Sequence, residues 1–204
     1  GPDGKIYVVG GSTSSTLGLS GMTAVMEVYD PVANSWSTAA PMKTTRVGLA
    51  AAASGGKIYV FGGYGVTPGY SARYLLTVEA YDPTTNTWTN TASMRTGRYG
   101  LAAVTTSTGL IYLIGGKNES SVNPSSNEEY NWSANTSSYT TGLPSGQRPE
   151  LAAVTMYNQG DIIYALGGGG ISFPHANLDA GTLSDLPVIT PPPTATPDLP
   201  PASI

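Results

Sequence analysis

Apolar residues in this chain come in short bursts, and four of the bursts share one layout. They are "GKIYVVGG" (4–11), "GKIYVFGG" (56–63), "GLIYLIGG" (109–116) and "DIIYALGG" (161–168). Each holds a few apolar residues around a tyrosine and closes on a glycine pair. That is too short for a helix and reads as a buried strand. Tyr7, Tyr59, Tyr112 and Tyr164 stand 52, 53 and 52 residues apart. A fixed period of this length marks a structural unit used repeatedly. The first glycine always stands three positions after the tyrosine, so insertions fall elsewhere. This strand is expected at the centre of each unit.

Two further patterns keep the same period. After each glycine pair comes a polar stretch of variable length, read as a surface loop. It leads into "MEVYDPVANSW" (26–36), "VEAYDPTTNTW" (78–88) and a weaker "NEEYNWSANTSSY" (127–139). Asp-Pro opens a tight turn, because proline presets φ. Asn34 and Asn86 suit the left-handed conformation that closes such a turn. These segments therefore predict strand, turn and return strand. In the third copy Asn131 replaces the aspartate, and Tyr139 stands where tryptophan is expected, with two extra residues between. The last pattern is "RVGLAAAA" (46–53), "RYGLAAVT" (98–105) and "RPELAAVT" (148–155). Alanine is a weak strand former, so its recurrence needs a packing reason. Wedge-shaped sheets around an axis crowd most at the innermost strand, and only small side chains fit there.

Composition supports short strands joined by turns. The chain has 26 Gly and 16 Pro, and its charged share of 11% is under half the usual ~25%. Nine basic residues are scattered in a chain of net charge −4, which disfavours nucleic acid as a partner. No apolar run nears the ~20 residues of a membrane span. Cysteine is absent, which removes disulfides and thiol chemistry.

The glycine pair, the tyrosine and tryptophan around Asp-Pro, and the arginine before the alanine-rich strand together resemble the kelch repeat, the roughly 50-residue blade of one class of β-propellers. The resemblance runs from about Lys5 to Gly168. It implies an all-β segment of four-stranded antiparallel blades over residues 1–185, two of them complete and two partial. The first unit lacks its inner strand. The last, ending in "ISFPHANLDAGTLSDLPV" (171–188), lacks the Tyr-Asp-Pro and Trp signature. Family propellers usually close with six or seven blades, so further blades from missing sequence, or self-association, are expected. Residues 186–204 hold seven prolines between 187 and 201 and read as a Pro/Thr-rich linker or tail. Residues 191–204 are expected to be mobile and dispensable. Such tracts often join extracellular modules, so a secreted or cell-surface location is expected.

The candidate chemistry is sparse. His175 is the one histidine, so a histidine metal site lacks companions, and no cofactor is expected. Kelch-type copper oxidases use histidines and a cysteine-linked tyrosine, which this composition removes. Glu27, Glu79 and Glu128 recur once per unit. Copies spread around a ring stand too far apart for a carboxylate pair, so hydrogen bonding to backbone is the better account. Arg46, Arg98 and Arg148 are the ligand-binding candidates. In proteins of the resembled family, arginines there contact acidic groups of peptides or sugars, and a guanidinium fork suits carboxylates. The competing reading is that each arginine ties its blade to the next through backbone carbonyls. The expected function is a non-catalytic binding module for a protein or glycan ligand, acidic ones included. The alternative is a sugar-modifying enzyme such as a sialic acid mutarotase, also a kelch propeller in some bacteria.

Overall fold

A computed structural model describes residues 1–14, 21–67, 69–119, 126–143, 148–157, 161–170, 173–174 and 178–181. His175 and the Pro/Thr-rich residues 186–204 lie outside them. The described residues form antiparallel sheets and no helix. Unit 1 has three strands, Ile6–Val9, Met26–Asp30 and Ser35–Ala39. Unit 2 has four: Ala50–Ser54 innermost, then Lys57–Phe61, Val78–Asp82 and Thr87–Asn90. Unit 3 repeats this with Tyr99–Thr105, Ile111–Lys117, Asn127–Asn131 and Thr136–Thr140. Unit 4 has Leu151–Tyr157, Asp161–Gly167 and Leu178–Gly181. Two complete and two partial blades were expected, and this is the arrangement found. The tyrosines occupy matching places: Tyr7 pairs with Val28, Tyr59 with Ala80, Tyr112 with Glu129 and Tyr164 with Ala180.

The core is a series of layers between units, because the second strand of units 2 and 3 is covered on both faces. Ile58 and Val60 pack toward unit 1 with Met26, Met42, Tyr81 and Trp88. Their neighbours Tyr59 and Phe61 point the other way, to Ile111, Leu113 and Tyr130 of unit 3. Tyr112 and Ile114 continue the pattern into unit 4 with Leu151 and Ile163. A strand alternates its side chains between two faces, and here both faces are apolar, which explains the unbroken runs. The alanine-rich strands sit innermost, as expected. They touch closely enough for Thr105 Oγ1 to donate to Ala53 O at 2.9 Å and for Tyr157 Oη to donate to Thr105 O at 2.9 Å.

The turns also match. Asn34, Asn86 and Asn135 have φ of 49°, 53° and 53°. Tyr29 and Tyr81 donate from their hydroxyls to the Oδ1 of Asn34 and Asn86, at 2.7 and 2.9 Å. Three details differ from the sequence reading. Tyr139 does not take the tryptophan position: Tyr130 faces Ser137 where Tyr81 faces Trp88, and Tyr139 faces Glu128 one pleat further on. The turn is the same length, so the extra residues lie in the strand. Arg46 is not on the inner strand but on a separate short strand, Thr45–Val47, with Gly48 at φ 63° between the two. That short strand pairs with Tyr64–Val66, which pairs with Arg73–Tyr74. Part of the segment read as a polar loop is therefore a small sheet.

Candidate functional site

The repeated arginines, glutamates and glycines converge on the crossovers, where the chain leaves one unit's outer strand for the next unit's inner strand. Arg46 is fully buried. Its Nη1 donates to Gly62 O at 3.0 Å and Thr77 O at 3.1 Å, and its Nη2 to Glu79 Oε1 at 2.6 Å. Burial pulls the guanidinium below its usual pKa, and the Glu79 charge opposes that. Arg98 is built alike: Nη1 donates to Gly115 O at 2.9 Å and Nη2 to Glu128 Oε1 at 3.2 Å. Arg148, also buried, donates from Nη2 to Ala165 O at 3.4 Å. The register sets Asp179 opposite Ala165, as it sets Glu79 opposite Val60.

The expected rim of arginines open to a ligand is therefore not what these side chains form. Arg46, Arg98 and Arg148 have their donors turned into their own blades. Burial is the reason: a guanidinium out of water needs acceptors, and a glycine carbonyl and a glutamate supply them to Arg46 and Arg98, the Ala165 carbonyl to Arg148. The glutamates also receive backbone, as the sequence reading expected. Glu79 Oε2 accepts from Lys43 N at 2.7 Å, and Glu128 accepts from Arg95 N at 2.7 Å and Thr96 N at 3.1 Å. Two further groups bind the same crossover. Asn86 Oδ1 accepts from Ala40 N at 2.8 Å, and Trp88 Nε1 donates to Ala40 O at 2.7 Å. Asn135 accepts from Ala92 N at 2.7 Å in the next unit.

The glycine pairs complete the joint. Gly11, Gly63 and Gly116 donate from N to the carbonyls of Arg46, Arg98 and Arg148, at 3.0, 2.6 and 3.0 Å. Each arginine thus bonds the preceding unit through its backbone and its own unit through its side chain. A Cβ on Gly62 would stand 2.6 Å from Arg98 O, and one on Gly115 would stand 2.7 Å from Arg148 O. No other residue allows units to approach this closely.

An open cleft with a volume of about 410 Å³ is lined by Arg73, Tyr74, Thr77, Arg95, Thr96 and Glu119 among others. Arg73 stacks on Tyr70 at 4.9 Å and Arg95 on Tyr139 at 5.6 Å. Both arginines are exposed. The sequence reading missed them, because Arg73 has no periodic counterpart. Arg95 has one, Lys43, 52 residues earlier. Among the described residues, no three His, Cys, Asp or Glu stand close enough together to hold a metal ion, and no helix is long and apolar enough to cross a membrane.

Comparison with known proteins agrees with this geometry. The family model for the Kelch motif matches residues 2–43 and 45–95. Over 115 residues, 56% of the chain, it is 36% identical to an F-box/kelch-repeat protein of Arabidopsis thaliana, covering 29% of that protein. Over 116 residues, 55% of the chain, it is 38% identical to Kelch-like protein 25 of Rattus norvegicus, covering 19% of it. The chain thus spans under a third of these relatives. The solved structure of YjhT superposes with a TM-score of 0.67 at 18% identity, over 91% of this chain and 64% of that one, a likeness of fold. With the repeats, the blades and the crossover joint all present, the chain is built of kelch repeats and resembles the kelch-repeat proteins.

Proposed function

We propose that the chain is a non-catalytic binding module that holds an acidic segment of a protein at the cleft between Arg73 and Arg95. The observation that carries this reading is the pair of exposed guanidinium groups, each stacked on a tyrosine at the cleft. Stacking holds each long side chain in place, and Arg95 Nε is also anchored on Ser137 O at 2.9 Å, so less entropy is lost when a carboxylate arrives at the remaining donors. In units 2 and 3 the recurring arginines and glutamates are occupied in joining blades. That weakens the enzyme alternative, since Arg46, Arg98 and Arg148 are buried and line no open pocket for a substrate.

The test is a titration of the protein with acidic peptides, and with sialylated glycans as a second arm. Peptide binding should weaken at least tenfold in Arg73→Ala/Arg95→Ala and should fall as salt rises. Binding indifferent to both substitutions would move the site elsewhere, and glycan binding alone would change the ligand class. The reading also puts the module outside the cell, displayed on residues 186–204, with composition as its support. Protease release of the protein from intact cells tests that location.

A further inference from the structure

One crossover carries a side chain where its counterparts carry none. The buried arginines begin the triplets Arg-Val-Gly (46–48), Arg-Tyr-Gly (98–100) and Arg-Pro-Glu (148–150). Gly48, Gly100 and Glu150 have φ of 63°, 64° and 61°, the left-handed region that glycine enters freely. The other described residues with a side chain and positive φ are the turn asparagines Asn34, Asn86 and Asn135, which tolerate it. Backbone bonds hold the angle: Gly100 N donates to Gly48 O at 2.7 Å, and Glu150 N to Gly100 O at 2.7 Å. A glutamate held there costs folding free energy that glycine would not. Strain kept at one copy of a repeated position points to a side chain with work to do.

The surroundings of Glu150 suit a cation. Glu79 and Glu128 are buried and answer Arg46 and Arg98. Glu150 is exposed, and no basic side chain among the described residues forms an ion pair with it. Its Oε1 accepts from Tyr99 Oη at 3.3 Å. Tyr99 lies over Gly48, where a Cβ would overlap its ring. Next to that glycine, Val47 pairs with Tyr64, which meets Tyr74 edge-on with ring centroids 5.5 Å apart. Burial, then the Glu150 charge and hydrogen bond, and then Tyr74 raise the Tyr99 phenol above its usual pKa, which sets Tyr74 near Tyr99. Three half-buried tyrosines thus lead to one exposed carboxylate. Aromatic faces are negative, so a cation is attracted by rings and carboxylate together.

We propose that Glu150, with Tyr99 and Tyr74, is a subsite for a lysine or arginine side chain of the bound protein segment. The cationic head pairs with Glu150 while the methylene stem lies along the tyrosine rings. Tyr74 also lines the cleft with Arg73 and Arg95, so the two subsites adjoin. The ligand then carries both charges, an acidic residue for the arginines and a basic residue for Glu150. The inference rests on the cleft reading for the acidic half alone; the basic half stands on Glu150 and the tyrosines.

Two arms test the halves separately. In the first, Nα-acetyl-lysine methylamide, which has no acidic group, is titrated into the full chain and followed by NMR. Signals of Glu150 and Tyr99 should shift saturably, and equally so in Arg73→Ala/Arg95→Ala. Glu150→Gln, or Nε-acetylation of the probe, should abolish the shifts. In the second arm, acidic peptides with one lysine at varied spacing are compared with the same peptides carrying Nε-acetyl-lysine. At the best spacing the lysine should tighten binding about fivefold, and Glu150→Gln should erase the difference. Glu150→Gly should lose the response yet melt no lower than the parent, since glycine relieves the strain. Absence of shifts in the first arm, or shifts that survive Glu150→Gln, overturns the subsite. A clearly lower melting temperature in Glu150→Gly overturns it too, because the side chain would then serve the fold. Equal affinity of the paired peptides overturns the joining of both charges in one ligand. Failure of every acidic peptide, with the first arm intact, overturns the cleft reading and upholds the subsite.

Discussion

At the scale of single residues, one arginine–glutamate pair does different work according to whether a neighbouring unit is present. Glu79 is buried beside Arg46, and Glu27 holds the same place in a unit with no incoming arginine. Removing one partner of a buried ion pair leaves an uncompensated charge and costs about 3–5 kcal/mol. Glu79→Ala should therefore lower the urea midpoint sharply, while Glu27→Ala should stay within about 0.5 kcal/mol of the parent. Equal losses in the two variants would show that burial is not what makes the pair matter. The turn aspartates give a pH prediction. Asp30 is held below the usual carboxylate range chiefly by the Ala33 amide, and Asp82 chiefly by the Thr84 hydroxyl and then the Thr84 amide. A carboxyl depressed on folding adds stability above its unfolded pKa of about 3.9, and that stability is lost as pH falls through the lower folded value. Asn131 makes the same turn without a charge, accepting from Ser133 N at 3.1 Å and Ala134 N at 3.0 Å. Asp30→Asn/Asp82→Asn should thus keep the turns at pH 7 and lose less stability between pH 5 and 3. An unchanged acid limb in thermal melts would refute this source of acid sensitivity.

At the scale of elements, the glycine pairs separate conformational need from contact. Gly62 and Gly167 share a left-handed backbone, with φ of 59° and 66°. A side chain in that region costs about 1–2 kcal/mol at either site. Only Gly62 is pressed against the next unit, so Gly62→Ala should lower the melting temperature clearly more than Gly167→Ala. Equal shifts would mean that the backbone angle alone decides. These strands were legible in the sequence because a buried strand with apolar residues on both faces leaves an unbroken run. The turns were legible because Asp-Pro and asparagine have few other uses at such spacing. The sheet of Thr45–Val47, Tyr64–Val66 and Arg73–Tyr74 was not, because backbone bonds hold it and its side chains carry no alternation. The arginines were found by period, but recurrence says nothing about which way a side chain points, so it left a ligand rim and a blade clamp equally open. Their partners were in view: Glu79 and Glu128 recur on the same period as Arg46 and Arg98, and a buried cation requires an anion. Arg73 and Arg95 belong to one cleft through folding alone, with no shared pattern to announce it.

At the scale of the molecule, stability should be graded along the chain. Each unit packs on its neighbours in sequence through the layers between sheets, so its local stability depends on how many neighbours it has. Units 2 and 3 are covered on both faces, and their second strands are almost entirely buried. Unit 1 shows Ile6, Val8 and Trp36 on one side, and unit 4 shows Val154, Met156 and Leu166 on the other. Segments with few buried apolar contacts open first, at free energies well below that of global unfolding. Native-state hydrogen exchange should therefore find the slowest amides in Lys57–Phe61 and Ile111–Lys117. The amides of Ile6–Val9 and Leu151–Tyr157 should exchange at least tenfold faster. The gradient also responds to neighbours: Trp88→Ala, which loosens the layer between units 1 and 2, should speed exchange in unit 1 far more than in unit 4. Uniform protection across all four units, or equal acceleration at both ends, would mean that the chain folds as one closed body whose ends already meet.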